Sequence, residues 1–149
     1  MGTLDENPNC GETYASFLLV GDRLDPAEVT RRLSIQPEFS RQKATIRPSK
    51  AGRIRQRTGV WSCTTKGVIA STSLERHLRH LLDMLEPPTP EIRKLVEEQA
   101  LEASFSCYWF SATGHGGPGF SPEVLARISN LGAALWLDLY GLTEIEVET

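Results

Sequence analysis

Hydrophobic positions change period several times along this 149-residue chain, and each change marks an element. Residues 14–20 are a short apolar run between Gly11 and Gly21-Asp22, which predicts a buried strand. A helix should follow. Asp25 can accept from the first-turn amides, Pro26 suits the first helical position, and Glu28 completes a capping box. Val29 and Leu33 give that helix its buried stripe, and Pro37 ends it. Residues 39–65 read as a hairpin with arms at 42–46 and 58–65 and a long charged connection. Trp61 and Cys63 share one face of its second arm. Thr72 and Glu75 make the next capping box, and Leu74, Leu78, Leu81, Leu82 and Leu85 then recur at helical spacing. Pro87-Pro88 stops that helix. Thr89-Pro90 starts a shorter one with Ile92, Leu95 and Val96 facing inward.

Residues 103–112 alternate as a strand, with Phe105, Cys107 and Trp109 on one face and Ser104, Ser106, Tyr108 and Phe110 on the other. A glycine-rich loop, 114–119, leads to a helix capped by Ser121-Pro122. That helix should bury Val124, Leu125, Ile128 and Leu131 and end at Gly132 in the left-handed region. In the last strand, 135–140, Leu135, Leu137 and Leu139 share one face and Trp136, Asp138 and Tyr140 the other. The order β-α-β-β-α-α-β-α-β is neither a strict βα alternation nor all-β. It predicts an α+β domain: a mixed, largely antiparallel sheet with helices packed on one face. Residues 13–142 should form this single domain, after a disordered polar lead-in (1–12) and before an acidic tail (143–149).

Two segments echo one another. Ala15-Ser16-Phe17 opens the first strand, and Ala103-Ser104-Phe105 recurs in a later one. Each strand leads to a capped, proline-started helix, at Asp25-Pro26 and at Ser121-Pro122. Arg31 and Arg127 each lie six residues past their cap. Residue type and element order agree, which predicts a duplicated strand–helix unit. The first copy carries a basic hairpin after its helix, and the second a glycine loop before it.

Composition narrows the class. With 40% hydrophobic and 23% charged residues the chain resembles an ordinary globular domain. No apolar run approaches the roughly 20 residues a membrane span needs. Residues 1–12 contain no Lys or Arg, unlike a secretory signal. Three cysteines, Cys10, Cys63 and Cys107, are too few and odd in number for a disulfide framework. Cys63 and Cys107, each in a β-like run, predict buried free thiols, and the sparse count predicts a cytoplasmic protein. The net charge of −3 conceals an asymmetry: nine of the 16 basic residues lie between Arg31 and Arg57, opposed there only by Glu38.

Taken together, several segments resemble one family. They are Tyr14-Ala15-Ser16-Phe17, Gly21-Asp22, Leu24-Asp25-Pro26 with Val29, and Leu33-Ser34-Ile35-Gln36-Pro37. Gly59-Val60-Trp61 and Leu85-Glu86-Pro87 follow, then Phe120-Ser121-Pro122-Glu123-Val124-Leu125 and Leu137-Asp138-Leu139-Tyr140. In this order and spacing, across about residues 14–142, the chain resembles the bacterial domain-of-unknown-function 4279 family. The resemblance implies a small bacterial protein without an assigned activity, for which an immunity-type role is one expectation. It carries over no catalytic residues.

Candidate chemistry is sparse. Arg53, Arg55 and Arg57 alternate, so an extended backbone would align them, and Arg41 and Lys43 could join from the other arm. Such a row suits phosphate, nucleic acid or an acidic partner, but equally a solvated hairpin protected from edge pairing. His115 lies in the glycine loop, which precedes a helix N-terminus and so favours anions, yet lacks a phosphate-loop ending. His77 and His80, three apart on a helix, could chelate a metal only with further ligands. Cys63 or Cys107 with His115 would make a nucleophile pair only if folding brought them together. Trp136, Asp138 and Tyr140 suit a protein interface if nothing covers them. No cofactor or membrane is implied. The favoured reading is a non-enzymatic binding or regulatory module for a protein partner. A small anionic-ligand or enzyme site between the repeats, and nucleic-acid binding through the hairpin, are the alternatives.

Overall fold

The computed structural model describes residues 6–45 and 56–141. Arg53 and Arg55 lie outside the described residues, as does the tail after residue 141. The chain runs β1 (Cys10–Gly21), α1 (Pro26–Leu33), β2 (Phe39–Arg41), β3 (Ala44–Thr45), β4 (Gln56–Arg57) and β5 (Gly59–Thr64). It continues through α2 (Leu74–Leu85), α3 (Thr89–Glu98), β6 (Glu102–Ser111), α4 (Pro122–Leu131) and β7 (Ala134–Gly141). Five strands make one mixed sheet in the order β2-β5-β1-β6-β7. Only β6 and β7 pair in parallel; the other pairs are antiparallel. β3 and β4 form a separate small ladder. The fold is α+β.

The two-residue period of the strands decides the layers. It sends Phe17 and Leu19 of β1, Trp61 and Cys63 of β5, and Phe105, Cys107 and Trp109 of β6 to one side, where all are buried. α2 lays its stripe of Leu74, His77, Leu78, Leu81, Leu82 and Leu85 into the same core and packs on β1 and α4. α1 packs on β5 and α3, and α4 on β7 and α3. Each large side chain taken fully out of water contributes about 1.5–3 kcal/mol. This one apolar layer therefore outweighs any surface ion pair in holding the fold.

The helix signals work as local chemistry requires, with two shifts. In α1, Glu28 N–H donates to Asp25 Oδ1 at 3.3 Å, and the helix closes at Ser34 in the left-handed region (φ 56°), ahead of Pro37. The cap of α2 is Ser73, not Thr72: its hydroxyl accepts from Arg76 N–H. Thr72 is engaged elsewhere, its amide and hydroxyl both donating to the Glu6 carboxylate. In α4, Ser121 Oγ accepts from Val124 N–H and Gly132 ends the helix at φ 79°.

Three further expectations are corrected. Leu125 is 45% exposed, because it falls beside the buried stripe of Val124, Ile128 and Leu131. On β7 only Leu135 packs against the core, while Leu137 and Leu139 are 43% and 57% exposed. β7 is the outermost strand, and the helical layer leaves its later half uncovered. The first hairpin arm is Phe39–Arg41, paired with β5; Ala44–Thr45 leaves the sheet to pair with Gln56–Arg57. Regular structure also begins inside the polar lead-in. Cys10 N–H donates to Asn7 O, and Ala112 N–H to Asn9 O, so these residues are held against the end of β6.

The two Ala-Ser-Phe segments become the two central strands, with Phe17 opposite Phe105 and ring centroids 5.2 Å apart. β2 runs in the same direction as β1, since each is antiparallel to β5.

Gly59 marks the closest packing beside this sheet. A Cβ there would meet Gly21 O at 2.7 Å and Leu24 Cβ at 2.9 Å. Backbone cannot yield as a flexible side chain can, so Gly59→Ala should cost about 2 kcal/mol in urea unfolding. Gly117→Ala, where nothing lies within 4 Å of the new Cβ, should be nearly neutral in the same measurement.

Candidate functional site

The sheet side away from the helices carries the clearest surface feature. Tyr14 on β1 lies opposite Tyr108 on β6, which lies opposite Asp138 on β7; Phe110 lies opposite Tyr140. The rings form a ladder: Tyr14 stacks on Tyr108 with centroids 4.9 Å apart, and Tyr108 meets Tyr140 at a tilt of 39° with centroids 5.4 Å apart. Trp136, on the same side, is 67% exposed and Tyr140 53%. Trp136, Asp138 and Tyr140 thus share an open face, which no helix among the described residues covers.

Carboxylates flank the ladder, with one cation beside Tyr14. Glu12 and Asp138 flank the ladder and, after desolvation, are among the causes that push the Tyr108 hydroxyl above its ordinary pKa. Lys66 Nζ sits 5.1 Å from the Tyr14 ring centroid, a cation–π contact. The arrangement can stack flat groups, accept cations over its rings, and hydrogen-bond through tyrosine hydroxyls. It offers no nucleophile paired with a base.

Of the basic candidates, Arg41, Lys43 and Arg57 lie among the described residues. Arg41 donates from Nε to Thr58 O and lies over the Phe39 ring, 5.7 Å from its centroid. Lys43 pairs with Asp22 at 3.3 Å. Arg57 is exposed on β4, opposite Ala44. Arg41 and Lys43 are therefore engaged in tying the hairpin down.

His115 is exposed, and its carbonyl accepts from Ser111 and Thr113 hydroxyls. The glycine loop is anchored, since Asn7 Nδ2 donates to Gly117 O. Beside it an open cleft is lined by Glu6, Asn7, Thr72, Glu75, Trp109 and Gly119, among others. Trp109 Nε1 is buried there without a hydrogen-bond partner. The helix N-terminus expected to attract an anion is already filled: Ser121 N–H donates to the Glu75 carboxylate, and Arg79 bridges Glu75 and Glu123. A carboxylate of the chain itself takes the place of the anion.

The remaining titratable candidates are structural. His77 is fully buried, its ring nitrogens 2.6 Å from Thr65 Oγ1 and 2.9 Å from Ser71 O. Both nitrogens are engaged, so the ring has none to give a metal, while His80 is exposed. Among the described residues no group of three or more His, Cys, Asp and Glu is placed to hold a metal ion. Cys10, Cys63 and Cys107 are buried and free. Burial pushes the thiols of Cys63 and Cys107 up to about 12, which keeps them protonated and unreactive. No helix among the described residues is long and apolar enough to cross a membrane.

Sequence reasoning found Trp136, Asp138 and Tyr140 but missed Tyr14 and Tyr108 as their neighbours. The alternation of β6 placed Tyr108 on the polar face. Only the β1–β6 register brings Tyr14 beside it.

The architecture defines an α+β protein with helices on one side of a mixed sheet and an aromatic, acid-flanked surface on the other. The chain belongs to the family described as a domain of unknown function, DUF4279, whose model matches residues 11–142. No curated protein and no solved structure matches it.

Proposed function

We propose that this protein is a non-enzymatic binding module whose open sheet face docks a protein partner through a segment bearing Lys or Arg. The observation that carries this reading is the uncovered ladder of Tyr14, Tyr108 and Tyr140 beside exposed Trp136, flanked by Glu12 and Asp138. Exposed tyrosine and tryptophan supply most of the binding energy at typical interfaces. The flanking carboxylates select cations and repel phosphate, so a basic peptide suits the face better than nucleic acid. Lys66 over Tyr14 is an intramolecular precedent for that contact. Neutralising a cognate protein, an immunity-type role in a bacterial cytoplasm, is one form such binding takes. The shared course of the two units supports a duplication. In each, a central strand leads through a proline-started helix to an outer strand running the same way, with β5 intervening in the first.

The test is titration of the labelled protein with Lys/Arg-rich, Asp/Glu-rich and single-stranded oligonucleotide probes, followed by amide and aromatic NMR shifts. The basic peptides should move Tyr108, Trp136 and Tyr140. Trp136→Ala combined with Tyr140→Ala should weaken that binding by about 30-fold, the size of a ~2 kcal/mol hot spot. Both side chains are more than half exposed, so the unfolding free energy should fall by only about 1 kcal/mol, chiefly from the lost Tyr108–Tyr140 ring contact. Shifts confined to the hairpin, or equal binding of acidic peptides, would remove the proposal. Salt-sensitive oligonucleotide binding through Arg57 would instead support a nucleic-acid partner.

A further inference from the structure

We infer that β7 is the pairing edge of a homodimer, joined antiparallel to β7 of a second copy with Leu137 on the two-fold axis. Among the described residues β7 is the outer strand of the sheet, bonded on one side only, to β6. Its outward edge therefore presents unpaired N–H and C=O groups, a template for another strand. Natural edge strands are guarded by brevity, Lys, Pro or a bulge. The opposite edge, β2, is three residues long and ends at Arg41. β7 has eight residues, Ala-Leu-Trp-Leu-Asp-Leu-Tyr-Gly, with no Lys or Pro and no register shift against β6. Its only charge is Asp138 on the open face, and Trp136, Leu137, Leu139 and Tyr140 are between 43% and 67% exposed.

The strand's own sequence selects the occupant and the register. A two-fold axis perpendicular to the sheet puts helix-side residues opposite helix-side residues. Centring it on Asp138 would set two carboxylates directly opposite each other, which is destabilising. Centring it on Leu139 would leave the earlier part of the strand unpaired. Centring it on Leu137 places Leu137 against itself and Leu135 against Leu139 of the second copy. The leucines of both strands then merge into one strip on the helix side. On the open side, Trp136 meets Asp138 of the second copy, so the two carboxylates are kept apart. This register covers the leucines the helices leave bare.

The experiment is hydrodynamic and uses no ligand, so its outcome is independent of the partner-binding reading. Sedimentation velocity on the full chain should give a dimer. Leu137→Lys should give a monomer with unchanged circular dichroism, because it sets like charges across the axis at a half-exposed site. Leu137→Cys should form a disulfide-linked dimer on mild oxidation, the native thiols being buried. Trp136→Cys, opposite Asp138 of the second copy, should not. A monomeric wild type at its solubility limit would overturn the inference. So would a dimer that survives Leu137→Lys, or equal crosslinking at positions 136 and 137.

Discussion

Trp61→Ala is expected to lower the unfolding free energy by about 4 kcal/mol. The indole is fully buried on β5 and meets Phe17 edge-on, with centroids 6.5 Å apart and planes at 80°. Its Nε1–H donates to Thr30 Oγ1 at 3.0 Å, which ties α1 to the sheet. Three losses combine: the transfer energy of a large aromatic, the cavity it leaves, and this hydrogen bond. The first two dominate, because Thr30 is partly exposed and can bond water instead. Thr30→Val leaves the indole N–H of buried Trp61 without its acceptor and should cost about 2 kcal/mol, still less than the loss of the ring. Urea unfolding at constant slope measures both, and the larger loss should lower Tm by about 10 °C. A cost below ~1 kcal/mol for Trp61→Ala would mean that the core collapses around the gap.

His77→Ala should cost about 3 kcal/mol, from the cavity and the loss of both hydrogen bonds to the buried ring. The chemistry gives this site a pH signature that an apolar core residue lacks. Nε2 faces Ser71 O, an obligate acceptor, so Nε2 carries the proton and Nδ1 accepts from the Thr65 hydroxyl. The ring is therefore built neutral, and burial holds its pKa below the ordinary 6.5. Below pH 6.5 the unfolded chain takes up a proton that the folded chain refuses, so unfolding gains free energy. The contribution is complete above 6.5 and is lost as pH falls through the lower folded value. Glu6, held below its usual 4.5 first by Thr72, adds a loss of the same sign at lower pH. The interval between 6.5 and 4.5 thus isolates the imidazole. His77→Ala should flatten the stability profile there, and an unchanged slope would contradict the neutral, buried assignment.

The helices were legible because their signals are local. Asp25-Pro26, Ser121-Pro122 and the leucine stripe of α2 each act within a few residues, and each yields the helix expected. Thr72 shows the limit. A capping box reads only its own turn, and Glu6, 66 residues earlier in the chain, takes Thr72 away. Leu137 and Leu139 show the same limit in a strand. Alternation tells which residues share a face, but whether that face is covered depends on the strand's place in the sheet.

The sequence by itself therefore determined the α+β class, the helix starts, the inward faces of β1, β5 and β6, and the shared face of Trp136, Asp138 and Tyr140. Capping and side-chain periodicity are properties of neighbouring residues, which is why they survive without coordinates. Only the tertiary structure decided that β1 and β6 lie side by side, that Tyr14, Tyr108 and Tyr140 join across three strands, and that β7 lies at the edge of the described sheet. Those facts are strand order and register, set by contacts between residues far apart in the chain, such as Tyr14 with Tyr108 and Tyr108 with Tyr140. They depend on how the whole core closes, and no local pattern encodes them.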